Sequence, residues 1–196
     1  MASGKRGLRT GLKTLIRTVV LFADSTIVRE IPPLYSAWTP VNQRAVVPII
    51  GSHDKRVLTA ALCVQTGTWI PLVTTRFQQE EFQEFLKLIR SKWRGWNIIL
   101  FIDKHSVHRA PGTRKVADAL GINIRWLPTA TPKLNAMDTL WRHAKEESIA
   151  NEPNPDVDET TDRLVRYIES LTPHQRLLKA GVLAERFWLQ GAIPPL

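Results

Sequence analysis

The sequence predicts an α/β protein built on a mixed sheet with helices on its faces, and three observations carry that expectation. A chain of 196 residues with 43% hydrophobic content has material for one ordinary domain and a substantial core. Its first half holds short β-branched and aromatic runs separated by turn residues, which read as antiparallel strands. From Phe77 onward, strand-like and helix-like segments alternate, the pattern of parallel strands joined by right-handed crossovers.

Taken in order, residues 1–17 are polar and basic and read as an arm or a truncated linker. "TVVLFADS" (18–25) reads as a buried strand ending in a polar turn at Asp24. Prolines 32, 33 and 40 exclude a long helix in the segment that follows. "RAVVPII", "VLTAALCVQ" and "TWIPLVTT" read as three strands of a meander, divided by "GSHDK" and "TG". "FQQEEFQEFLKLIRSKW" places Phe77, Phe82, Phe85, Leu86 and Ile89 largely on one helical face, with Thr75 as its cap. "NIILFID" is a strand, "GTRKVADALG" a helix stopped by Gly121, and "INIRWLP" a strand stopped by Pro128. Asn135 is a good N-cap for the helix "AMDTLWRHAKEESIA". Two further helices are expected at 156–170 and 173–188, the second opened by Thr172 and Pro173. Residues 18–150 then form the main domain and 151–196 a helical appendage.

The net charge is +9, and residues 1–110 hold sixteen Lys/Arg against seven Asp/Glu. Such asymmetry favours a polyanionic partner, most often nucleic acid, through counterion release. The apolar runs are far shorter than the ~20 residues that cross a bilayer, and a secretory leader pattern is not expected. The single cysteine, Cys63, reads as a small core residue of a reducing compartment. Nucleotide loops, zinc-protease helices, nucleophile elbows and paired cysteines are all lacking from the sequence.

What remains is three acids at the ends of elements: Asp24, Asp103 and Asp138. The first and fourth core strands of such a sheet can lie side by side, which faces Asp24 towards Asp103, and a later helix can bring Asp138 alongside. Three close carboxylates call for a hard divalent cation with oxygen ligands, an arrangement suited to two-metal phosphodiester chemistry. Ordinary roles compete: Asp24 in a turn, Asp103 capping the chain after its strand, Asp138 meeting a helix dipole. His105 and His108 allow a zinc reading, although imidazole support of a metal-bound carboxylate suits them better. Most of the seven tryptophans, including Trp69, Trp93, Trp96 and Trp188, read as packing; Trp38 and Trp126 are the candidates for stacking on nucleic acid.

The motifs resemble those of mariner-type DDE/D transposases, more closely their bacterial insertion-sequence relatives. "LFADST" matches a strand ending in an acid, "AWTPVNQ" a Trp-x-Pro loop, and "FIDKHSVHRA" an Asp-Asn-x-x-x-His block. "LPTATPKLNAMDTLW" is similar to the stretch carrying the third acid, and 34 residues separate Asp103 from Asp138, a separation typical of that family. The tail "LTPHQRLLKAGVLAERFWL" is similar to the C-terminal helix of some bacterial members.

The resemblance implies a ribonuclease-H-like, retroviral-integrase-like fold, with a five-stranded mixed sheet and helices on both faces. It implies magnesium- or manganese-dependent DNA cutting and joining, with two ions held by Asp24, Asp103 and Asp138. His108 and Asn135 would support these ligands. Trp38, Arg44, Lys104, Arg109, Lys133 and Arg142 flank the motifs and are the expected DNA contacts. Lys104 replaces the usual Asn, Thr129 to Thr131 replace Pro-Tyr-Ser, and "NAMD" stands for "NPIE". Relatives carry a helix-turn-helix region ahead of this domain, which about 20 residues cannot hold. A separate end-recognising chain or region, a homodimer on DNA and a bacterial, nucleoid-associated cytoplasmic location complete the expectations. A non-catalytic DNA-binding remnant and a host nuclease on the same fold are the alternatives.

Overall fold

β1 spans Thr18–Arg29, longer than its apolar run suggests. Val19 to Ala23 are fully buried, so this stretch is covered on both faces; beyond Asp24, Thr26 and Val28 point inward while Ile27 and Arg29 are exposed. That period-2 alternation keeps the chain in strand geometry through Ser25, where a turn was expected. The computed structural model describes residues 17–35, 39–43, 46–47, 54–151 and 156–193.

β2 (Lys55–Cys63) and β3 (Trp69–Thr74) follow as an antiparallel pair. Next come α1 (Gln79–Lys92), β4 (Asn97–Ile102), the one-turn α2 (Ser106–Arg109), α3 (Pro111–Ala119) and β5 (Ile122–Trp126). A 3-10 turn at Pro132–Leu134 leads into α4 (Ala136–Ser148), then α5 (Val157–Ser170) and α6 (Pro173–Lys179). The sheet order is β3-β2-β1-β4-β5, with β1 antiparallel to β2 and parallel to β4, and β4 parallel to β5. This is the expected mixed five-stranded sheet. Of the strand expected at "RAVVPII", only Val46 and Val47 are described, and they are not in a strand.

Each face of the sheet has its own core. Val19, Leu21 and Ala23 face Phe82, Phe85, Leu86 and Ile89 of α1 and Ala117 of α3. Val20 and Phe22 face Leu140 and Trp141 of α4, Leu164 and Ile168 of α5, Leu177 of α6, and Trp188 and Leu189 beyond it. Each such side chain, fully buried, contributes about 1.5–3 kcal/mol of transfer free energy, so both faces are firmly held.

Two helix ends differ from expectation. α1 is capped at Gln78, not Thr75, and Phe77 stands ahead of the helix. The last helix stops at Lys179 instead of reaching residue 188. Gly181 takes φ +72°, its N–H reaches Leu178 O at 3.0 Å, and Val182 N–H reaches Leu177 O at 2.9 Å. This is a Schellman termination, sealed by the burial of Leu177 and Val182. The chain continues through short turns, with Phe187 N–H on Ala184 O and Gln190 N–H on Phe187 O.

Candidate active site

The parallel register pairs Phe22 with Phe101, whose rings stack at 5.0 Å. Strand periodicity places the residues two further on, Asp24 and Asp103, on the same face at the end of the parallel pairing. Asp24 therefore sits within β1; the end of β4 makes this an edge of the sheet.

α4 is fastened beside them by Asn135. Its Nδ2 donates to Ala23 O at 3.0 Å, next to Asp24, and its Oδ1 accepts from Met137 N–H at 3.0 Å, capping the helix. With Asn135 as cap, Asp138 falls in the first turn of α4. Asn135→Ala removes the cap and strands a buried carbonyl, so it should lower stability by about 2–3 kcal/mol. Urea denaturation checks this, and a loss below ~0.5 kcal/mol would contradict it.

All three acids line one cavity of about 500 Å³, together with Lys104, His105, Arg109, Asn135 and the loop from Leu127 to Pro132. Among the described residues, no three His, Cys, Asp or Glu side chains close into a ligand set. The charge chemistry of the acids nevertheless fits a hard cation. Burial, followed by the charge of Asp138 and, more weakly, of Asp103, pushes the Asp24 carboxyl up to about 7. Burial also raises Asp138, opposed by Arg142 and Lys145.

Asp103 is held in the other direction. His108 Nδ1 donates to Asp103 Oδ1 at 2.7 Å, and His105 N–H reaches the same oxygen at 3.2 Å; the His108 bond is the main reason this carboxyl is held below its ordinary range. His108 is 2% exposed and packs against Phe82 at 4.4 Å and Phe77 at 5.6 Å. Its Nε2 makes no hydrogen bond. The His108 ring is thus fixed by packing, and it orients Asp103. His105 has a local role, accepting from Val107 N–H at 3.4 Å to cap α2.

Residues 19–161 match the model of the DDE superfamily endonuclease family, well over half of the chain. The chain belongs to the DDE superfamily endonucleases. No curated protein sequence matches it. Its fold is similar to that of Mos1 transposase in a paired-end complex with the left transposon end, at TM-score 0.67 and 14% identity over 97% of this chain and 59% of that one. A Mos1 mariner paired-end complex with Mn gives TM-score 0.65 at 14% identity, over 86% of this chain and 53% of that one. The catalytic domain of Mos1 mariner transposase gives 0.61 at 14% identity, over 97% of this chain and 88% of that one. The chain thus spans a little over half the length of the Mos1 chains in those complexes, and shares their ribonuclease-H-like fold.

Within this DDE endonuclease domain, the expected DNA contacts divide. Lys104 and Arg109 are exposed on the wall of the acid cavity. Lys133, exposed, lines a neighbouring cavity of about 330 Å³, and Arg142 acts on the charge of Asp138 from one turn further along α4. Trp38 and Arg44 lie outside the described residues. Trp126, a stacking candidate, pairs with Ile102 at the end of β4 and lines a different cavity, of about 620 Å³, along β5 and α3.

Sequence reasoning missed Lys145. It is half-buried, and burial pulls its amine pKa down while Asp24 and Asp138 push it back up, so it is the resident counter-charge of both acids. The available signal was its spacing: seven residues after Asp138, two turns along the same face of α4.

Proposed function

We propose that this chain is the catalytic domain of a mariner-type transposase of the bacterial insertion-sequence branch, cutting DNA strands and joining them to a target. The observation that carries this reading is the convergence of Asp24, Asp103 and Asp138 on one cavity in a DDE endonuclease domain, with Asp24 raised by burial first and then by the charges of the other two.

Asp24, Asp103 and Asp138 would hold two magnesium or manganese ions, which when bound supply activation of an attacking oxygen and stabilisation of the leaving oxygen. His108 keeps Asp103 ionised and aimed, and Asn135 keeps α4 against β1. Lys104, Arg109, Lys133 and Arg142, with Trp38 and Arg44, would hold DNA through its backbone without reading bases. The reading includes a separate end-recognising helix-turn-helix region or chain, a homodimer on DNA, and a bacterial nucleoid-associated location. It also keeps residues 1–17 as a basic arm, 18–150 as the catalytic unit and 151–196 as its helical extension.

Incubation with supercoiled plasmid and a pre-cut DNA end tests the reaction. Nicking in magnesium or manganese, abolished by chelation and accompanied by joining of the 3′-hydroxyl end, is expected. Nicking without joining would point to a host nuclease, and DNA binding without nicking to a non-catalytic remnant.

A further inference from the structure

The acids depend on elements far apart in sequence, and one side chain touches β1, β4 and the turn that leads into α4. Trp188 lies in the turns after α6 and is 7% exposed. Its ring stands edge-on to Phe101 at 5.4 Å and to Phe22 at 6.0 Å. Its Nε1–H donates to Leu134 O at 2.9 Å across 54 residues of sequence. Phe22 is two residues before Asp24 on β1, Phe101 two before Asp103 on β4, and Leu134 directly precedes Asn135, the cap of the helix that carries Asp138.

The hydrogen bond separates Trp188 from other core indoles. The buried Nε1–H groups of Trp69, Trp93 and Trp141 make none. Buried indole N–H groups usually find a partner, and the one that Trp188 finds is the backbone that leads into the helix cap. The neighbouring turns anchor it, with Leu189 fully buried and Ala192 at 5%.

We propose that Trp188 is a positioning residue, a single brace that fixes β1, β4 and the start of α4 relative to one another and so sets the mutual placement of Asp24, Asp103 and Asp138. The inference rests on the catalytic reading above. It assigns to the C-terminal segment a role in the reaction that its distance in sequence from every acid conceals. Metal and transition-state sites are sensitive to displacements of about 1 Å, and loss of supporting contacts typically costs 10–100-fold.

The test compares the parent with Trp188→Phe, which keeps an aromatic ring and loses the N–H, and with an isosteric benzothiophene analogue of the indole incorporated at the same position. The analogue preserves shape, so it tests the hydrogen bond even where Trp188→Phe folds poorly. Manganese affinity by calorimetry and the kcat and KM of plasmid nicking are read alongside thermal melting. We expect both substitutions to lower manganese affinity and kcat about tenfold or more, with KM for DNA unchanged and the analogue melting close to the parent. Manganese affinity and kcat within twofold of the parent for the analogue would overturn the inference while leaving the catalytic reading intact. A parent that neither binds manganese nor nicks DNA would overturn both.

Discussion

Asp103→Asn should lower divalent-ion-dependent nicking by about 10³-fold or more while leaving DNA affinity within a few-fold of the parent. Asp103 lines the acid cavity directly after the end of β4, with its charge maintained by the His108 hydrogen bond. Neutralising it removes a hard anionic ligand without changing the size of the side chain. Loss of a single preorganised electrostatic group commonly costs 10²–10³ in rate, and an ion that loses a ligand adds to that. DNA should still bind, because phosphate contacts come from the surrounding cations. The fold should tolerate the change. The carboxyl's lowered pKa means that its contribution to stability is present above its unfolded value and fades as pH falls through the folded one. Because the Asp103 side chain is 54% exposed, solvent screening keeps that contribution small. Filter binding and plasmid nicking, run together, measure both halves; equal nicking by mutant and parent would remove Asp103 from the mechanism.

The second large effect is a pH dependence centred on Asp24. Its carboxyl is raised from 3.8 to about 7, so the ion-free folded protein holds a proton there that the unfolded chain gives up. The sign follows: the stability attached to that proton is fully present below about 4 and is lost as pH rises through about 7. Asp24→Asn should therefore raise the melting temperature of the ion-free protein at pH 8 and change it little at pH 4. A shift of this size corresponds to roughly 4 kcal/mol, or about 8–16 °C for a chain of this length. Divalent-ion binding should show the complementary trend. A bound cation requires the charged carboxylate, so affinity should rise about tenfold per pH unit up to about 7 and then level off. A melting temperature for Asp24→Asn that tracks the parent at every pH would contradict this electrostatic description of the site.

The positions of Asp103 and Asp138 were legible because each stands in a local pattern that survives folding. Asn135 reads as a cap and is one, and that fixes Asp138 in the first turn of α4. The apolar run 97–102 ends where β4 ends, which places Asp103. Asp24 comes to the same edge for a different reason than a strand end: β1 does not stop there but runs on to Arg29, and the edge forms because its parallel neighbour stops. Local sequence shows where a strand becomes amphipathic; it does not show where the neighbouring strand ends.

The same limit explains Lys145 and Trp188. Lys145 matters through its charge on Asp24, a residue of another element, and Trp188 through contacts with Phe22, Phe101 and Leu134, all more than fifty residues away. The overlong reading of the last helix had a visible remedy. Gly181 interrupts the apolar pattern at the position where a left-handed residue ends α6, and the turns that follow deliver Trp188 to the core. His108 was legible as a neighbour of Asp103, whereas the aromatic packing that immobilises it, from Phe77 ahead of α1 and Phe82 within it, required the tertiary arrangement.

Calorimetric titration with manganese at pH 8, of the parent chain and of variants carrying Asp24→Asn, Asp103→Asn or Asp138→Asn singly, measures most directly whether these acids form one metal centre. Saturable binding by the parent, weakened at least tenfold by each substitution, is the expected result. Binding that is absent from the parent, or that survives all three substitutions undiminished, would contradict it.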